Sequence, residues 1–200
     1  MKALRGVMTF VVLWFLVACA NTPAITPKAE LPQFSGVLRQ NQTISGEVVL
    51  ISDLLIPEGR TLTILPGTTV YIKSDPSTKI DPEWLSSETE LLVRGALRIE
   101  GTSEQPVSFL PMEELEEQDV AWAGILFDRS IGSVVRHAQI FEAETGILCI
   151  DSSPVIEESL IANSRYGLVI QNGSSPRVTG NLIRDGEAGV FCWTDSSPEL

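Results

Sequence analysis

The chain has 200 residues, of which 44% are hydrophobic and 20% charged, and its formal net charge is −12. Such a length and composition suit one domain with a sizeable core and exclude disorder over the whole chain. The acidity, which no basic patch offsets, excludes nucleic acid and anionic lipid as electrostatic partners, and its plainest consequence is solubility.

Residues 1–18 form a separate object. "MKALRGVMTFVVLWFLVAC" opens with Lys2 and Arg5 and continues as an uncharged apolar run from Val7 to Ala18. A run of that length is shorter than the about twenty residues needed to cross a bilayer as a helix. It has the form of the apolar region of an export signal. The run ends in "LVAC", Leu16 to Cys19, which resembles the lipobox of bacterial lipoproteins, where a small residue precedes the cysteine that becomes the lipidated N-terminus after cleavage. The resemblance implies a lipid on Cys19, anchorage to a membrane of the bacterial envelope and, because Ala20 rather than an aspartate follows, outer-membrane sorting in a Gram-negative host. The competing reading is an ordinary export signal with an incidental cysteine. Residues 19–35 complete this region. "ANTPAITPKAELPQ" is rich in Pro, Thr and Ala and lacks periodicity, the pattern of a flexible tether.

The body of the chain, residues 36–200, consists of short apolar phrases separated by turn residues. "TLTILPGTTVYI" (61–72) and "LLVRGALRIEGTSEQPVSFL" (91–110) each read as strand, glycine turn, strand. Farther on, the phrases fall into a strict period. SSP triplets begin at 152, 174 and 196, and Gly124, Gly146, Gly167 and Gly189 each precede a short apolar run. A second phrase recurs at Val135–Ile140, Ile156–Ile161 and Val178–Ile183. No stretch after Cys19 keeps a helical period over three turns. A period of 22 made of short strands predicts one solenoid turn per repeat, with like residues stacked at the about 4.8 Å spacing of hydrogen-bonded strands.

The register predicts inward ladders Ile125–Ile147–Leu168–Val190 and Phe127–Cys149–Ile170–Cys192. On the other strands it predicts Val135–Ile156–Val178 and Ile140–Ile161–Ile183. Glu142, Asn163 and Asp185 fall together at a turn, where Asn and Asp tolerate left-handed backbone. Cys149 and Cys192 share a ladder but lie two turns apart, about 9.6 Å, beyond the about 7 Å limit between disulfide-bonded Cα atoms. Both are expected to be free core thiols.

"LTILPGTTV", "RGALRIEGTSEQPVSF", "WAGILF" and the "SP-V-I…N…YGLVI" units resemble right-handed parallel β-helix proteins of the pectate-lyase-like superfamily, over about residues 36 to 200. The resemblance implies an all-β, right-handed parallel β-helix of about 22 residues per coil and roughly six coils. "SSPEL" aligns with "SSPRV", so the chain ends as a coil begins and the C-terminal end is expected to be uncapped, either because the protein continues or because the end meets a partner.

That superfamily contains polysaccharide lyases and hydrolases, but the scaffold alone does not imply either activity. Lyases of this fold carry an acidic calcium cluster with an Arg or Lys base. Galacturonan hydrolases carry closely spaced aspartates, a His-Gly pair and an Arg-x-Lys triplet. None of these motifs is present. The only histidine, His137, is followed by Ala138 and aligns with Glu158 and Gly180 at an outward or turn position. Asp75 and Asp81 belong to a turn-rich loop. The acidic run Glu113–Asp119 lacks the alternating ligands of a calcium loop. No zinc set and no phosphate-binding glycine loop occurs. The sequence therefore points to no catalytic residue, metal or cofactor.

One feature points to function. If Ile125 and Phe127 face inward, then Leu126, Leu148, Val169 and Phe191 form an outward column. Asp128, Ile150, Gln171 and Trp193 form the next. An outer face this apolar is either a binding face or is covered by chain, for example by the loop 73–90. The resulting expectation is a non-catalytic, surface-anchored β-helix lipoprotein that binds a glycan or an envelope protein, with Leu126, Leu148, Val169, Phe191 and Trp193 as its face. The alternative is a polysaccharide-active lyase or glycoside hydrolase whose catalytic coils lie beyond residue 200.

Overall fold

The computed structural model describes residues 31–75, 85–113 and 120–200. Cys19 and the tether up to residue 30, Asp81 and most of the acidic run Glu113–Asp119 lie outside the described residues.

Among the described residues eighteen strands run in chain order. β1 (Gln33–Val37) is followed by β2 (Gln42–Ile44) and the long β3 (Glu47–Ile56). The next coil is β4 (Thr61–Ile64), β5 (Thr69–Ile72) and β6 (Glu90–Val93), followed by β7 (Ala96–Glu100), β8 (Val107–Pro111) and β9 (Gly124–Asp128). Three tighter coils complete the body: β10 (Val134–Arg136), β11 (Ala138–Phe141) and β12 (Thr145–Ile150); β13 (Val155–Glu157), β14 (Leu160–Ala162) and β15 (Tyr166–Gln171); β16 (Arg177–Thr179), β17 (Leu182–Arg184) and β18 (Ala188–Cys192).

The strands pair in parallel with their equivalents in adjacent coils, giving a right-handed parallel β-helix with three walls. The first wall is β2-β4-β7-β10-β13-β16. The second is β3-β5-β8-β11-β14-β17, and the third β3-β6-β9-β12-β15-β18. The second and third walls are joined because β3 spans both, pairing with β5 through Glu47–Leu50 and with β6 through Leu54–Ile56. β1 lies along β3 on its free side, and Phe34 packs against the core.

The predicted register is present residue for residue. Ile147 pairs with Ile125 and Leu168, and Leu168 with Val190. Cys149 lies between Phe127 and Ile170, and Ile170 between Cys149 and Cys192. On the first wall Val135, Ile156 and Val178 stack on Ile99 and Ile64, and on the second Ile140, Ile161 and Ile183 stack on Phe109 and Val70. These ladders meet in one apolar core up to Leu168, Ile170, Val178 and Ile183, whereas Val190, expected to face inward at the end of its ladder, is 41% exposed on β18. Each fully buried aliphatic side chain in it contributes about 1.5–3 kcal/mol.

The corners turn through left-handed backbone. Glu142, Asn163 and Asp185 have φ of 54°, 53° and 58°, as that column's composition suggests. His137, Glu158 and Gly180 form a second such corner, with φ of 46°, 49° and 68°.

Cys149 and Cys192 are free, and Cys149 is buried as expected. Cys192 is exposed, which corrects the expectation of two core thiols: it lies on β18, and no described strand stacks on that strand's far side.

A set of buried serines adds polar columns that hydrophobic periodicity does not reveal. The Ser130 N–H donates to Ser152 Oγ at 2.9 Å, and the Ser152 N–H to Ser174 Oγ at 3.0 Å. Each acceptor hydroxyl donates in turn to a carbonyl of its own coil, Ser152 to Ile150 O and Ser174 to Gln171 O. Ser159 and Ser164 serve the other corners in the same way, accepting from the N–H groups of Ala138 and Ala143. Each hydroxyl accepts from an N–H that the corner would otherwise bury unpaired and adds a second donor to a carbonyl that already takes a backbone N–H.

Candidate functional site

The outer side of the third wall carries two parallel columns. The first is Leu55, Leu92, Leu126, Leu148, Val169 and Phe191, each paired with the next across adjacent strands. Along it the degree of cover changes. Leu55, Leu92 and Leu126 are buried and cluster with Ala123, which lies in the chain entering β9. Leu126 therefore does not belong to an open face, although its side chain points away from the core. Leu148 packs against this cluster and is half-buried, as is Val169, while Phe191 is 44% exposed.

The start of β6 is fixed by a buried carboxylate. Glu90 is fully buried, and it accepts hydrogen bonds from the backbone N–H groups of Leu85 (3.0 Å) and Ser86 (2.9 Å). The Glu90 N–H donates to Asp53 Oδ1 at 3.0 Å. These bonds tie the described end of the loop 73–90 to the start of β6.

The second column begins with a charge cluster. Arg94 Nε and Arg129 Nη2 donate to the same oxygen of Asp128, at 2.8 and 2.9 Å. Asp128 is 7% exposed, so its charge is matched within the wall. Ile150 and Gln171 follow in register, with Trp193 two residues beyond Phe191. Trp193 is 50% exposed, and its indole Nε1–H donates to Gln171 Oε1 at 2.7 Å. Phe191 and Trp193 meet edge to face, with ring centroids 5.1 Å apart and planes inclined at 74°. Such a pair is favourable beyond its area burial.

Of the five residues expected to form the face, Leu148, Val169, Phe191 and Trp193 share an open or half-open surface, and Leu126 lies beneath chain. Three contributors escaped the sequence reading. Gln171, read only as one outward position, anchors the tryptophan. Arg94 and Arg129 close the lower edge, and nothing in the repeat marks them because Arg94 lies in a coil of looser register.

The remaining candidates sit elsewhere. His137 occupies a left-handed corner between the first and second walls, where its carbonyl accepts the Val107 N–H. Asp75 is tied by its N–H to Thr89 Oγ1 at 3.1 Å. Burial pushes the Glu142 carboxyl above its ordinary value, and Glu142 also sits at a corner rather than on the face. Among the described residues no group of three or more His, Cys, Asp or Glu side chains converges as a metal site.

Comparison with curated proteins and with solved structures found no match. Residues 112–200 match a family model described as a right-handed β-helix region, a span that takes in β9 and the three coils of strict period.

Proposed function

We propose that this chain is a non-catalytic β-helix protein, held at a bacterial envelope surface by a lipid on Cys19, which binds a partner through the outer side of its third wall. One observation carries the reading: Phe191 and Trp193 stand exposed as an interlocked aromatic pair at the open end of an apolar column whose other half is covered. Aromatic anchors of this kind supply most of the energy at binding surfaces. The fold family in which the sequence resemblance lies, the pectate-lyase-like proteins, hosts both binding and enzymatic members and favours neither here.

A glycan is the second reading. In its favour, the Gln171 hydrogen bond holds the Trp193 ring in one orientation, as a stacking platform for a sugar ring requires.

The experiment places a photo-crosslinking residue at position 148 in intact cells expressing the full-length protein. A discrete adduct that disappears in Phe191→Ser/Trp193→Ser supports partner binding. Quenching of Trp193 fluorescence by a soluble neutral or acidic polysaccharide, without an adduct, supports the glycan. Depolymerisation of that polysaccharide overturns the non-catalytic reading. For the anchor, Cys19→Ser should move the protein out of the membrane fraction, and unchanged fractionation would remove the lipid from the proposal.

A further inference from the structure

The fold gathers positive charge that the sequence leaves scattered. We infer that the corner between the third and first walls, in the N-terminal half of the solenoid, rests on the anionic lipid headgroups of the membrane that holds the Cys19 lipid. The inference rests on the lipid anchor of the proposed function and not on its partner-binding face.

Segments 38–41, 57–60, 94–95 and 129–133 stack at this corner, each leading into a strand of the first wall. Hydrogen bonds join them in order. Arg60 Nε donates to Arg39 O at 3.0 Å, the Ala96 N–H to Arg60 O at 2.9 Å, and the Ser130 hydroxyl to Gly95 O at 2.7 Å. Arg39, Arg60, Arg94 and Arg129 therefore follow one another up the corner, although no two of them are neighbours in the sequence. At its upper end Arg94 and Arg129 share Asp128. Two aliphatic side chains stand out beside the end arginines: Val37, 50% exposed, precedes Arg39 by two residues, and Ile131, 85% exposed, follows Arg129 by two.

The charge balance of the corner is positive. Against the four arginines stand Glu58, which is exposed, and Asp128, buried between Arg94 and Arg129, so two positive charges are in excess. On the adjoining strand β7, Arg98 and Glu100 cancel. Asp151 takes the position of Arg129 one coil on, so the excess is confined to the N-terminal half. Acidic side chains gather at the other two corners, Glu104 and Glu158 between the first and second walls, Glu142 and Glu144 between the second and third. The net charge of −12 argues against an anionic surface only where charge is spread evenly. Screening limits a side chain's field to about 8 Å at physiological salt, so a surface responds to the corner that it faces. Arginines near an anionic membrane are attracted to it, and exposed aliphatic side chains beside them enter the headgroup region. The anchor is within reach: Leu31 follows Cys19 by twelve residues, a span of at most about 40 Å, and leads into β1 on the N-terminal coil.

The test mixes the mature protein, as the cell makes it, with vesicles of phosphatidylcholine alone or of phosphatidylcholine and phosphatidylglycerol. In a Cys192→Ser background a fluorophore is placed on Gln40→Cys, at this corner, or on Ser103→Cys, at the corner between the first and second walls. Quenching by a headgroup-labelled lipid is the readout. The label at position 40 should be quenched and the one at 103 should not, and only on the anionic vesicles. The difference should vanish in about 0.5 M salt, where the Debye length is only a few ångströms. Arg39→Gln/Arg60→Gln removes the excess charge and should lower the occupancy of the membrane-facing orientation about thirtyfold. Arg165→Gln/Arg184→Gln changes the net charge equally but elsewhere on the body, and should leave the quenching intact. Equal quenching of the two labels, quenching indifferent to phosphatidylglycerol, or quenching that survives Arg39→Gln/Arg60→Gln overturns the inference alone. Protein that floats with neither kind of vesicle overturns the lipid anchor and the inference with it, so the two failures are distinguishable.

Discussion

Val169 and Ile170 are neighbours in β15 and lie on opposite sides of the same wall. Ile170 is wholly buried, stacked between Cys149 and Cys192, whereas Val169 is half-buried between Leu148 and Phe191. Ile170→Asp puts a carboxylate in a dry site without a partner and should unfold the coil or cost more than about 4 kcal/mol. Val169→Asp keeps a water-facing path and should cost about 1 kcal/mol. Two thermal melts on the same protein settle it. The reverse order would mean a register slipped by one residue, because one residue of slip turns every side chain to the other face.

Cover along the outer column makes a second prediction. Leu126→Ala removes a buried side chain from the cluster with Leu55, Leu92 and Ala123 and should cost about 2–4 kcal/mol. Phe191→Ala, at the exposed end, should cost under about 1 kcal/mol. Equal losses in chemical denaturation would show that the two ends of the column are covered alike.

The serine columns should matter more than their polarity suggests. Ser152→Ala leaves the buried Ser130 N–H without its acceptor, a loss of about 1–3 kcal/mol, while Ile150 O keeps the Arg129 N–H. Ser152→Thr retains the hydroxyl and should recover part of it. A neutral Ser152→Ala in urea titration would mean that water replaces the hydroxyl.

The first wall carries a ladder of opposite charges. Glu157 takes hydrogen bonds from Arg136 at 2.8 Å and lies 3.0 Å from Arg177. The Arg136 hydrogen bond, aided by the charge of Arg177, holds its carboxyl below the ordinary glutamate value. A depressed folded-state pKa gives stability that is present above the unfolded pKa and is lost as pH falls through the folded one. Stability should therefore decline on acidification below about 4.3, the ordinary glutamate value, and Glu157→Gln should flatten that part of the profile. An unchanged profile would show that the pair is idle in solution.

The thiols give a chemical check. Burial pushes the Cys149 thiol well above its ordinary range, while Cys192 is exposed. A thiol reagent should label Cys192 in the native protein and reach Cys149 only after unfolding. Native labelling of both, or a disulfide between them, would contradict the stacked register.

The repeat spells out the wall-to-wall register because a solenoid makes like residues touch like residues. Position 147 must suit 125 and 168, so spacing alone carries the contact map, down to the left-handed corner at Glu142, Asn163 and Asp185. Alternation likewise states that Leu126 and Phe191 both point outward. It does not state that Leu126 is buried and Phe191 open, because that depends on packing such as that of Ala123 against Leu55, Leu92 and Leu126, which no period encodes. The same holds for Arg94, Asp128 and Arg129, brought together from coils 34 residues apart, and for Cys192, which shares the core pattern of Cys149 without a strand on both sides. Periodicity determined direction, the way each side chain leaves the wall. Cover is a property of what packs over the wall from elsewhere in the chain, and only the tertiary structure decided it.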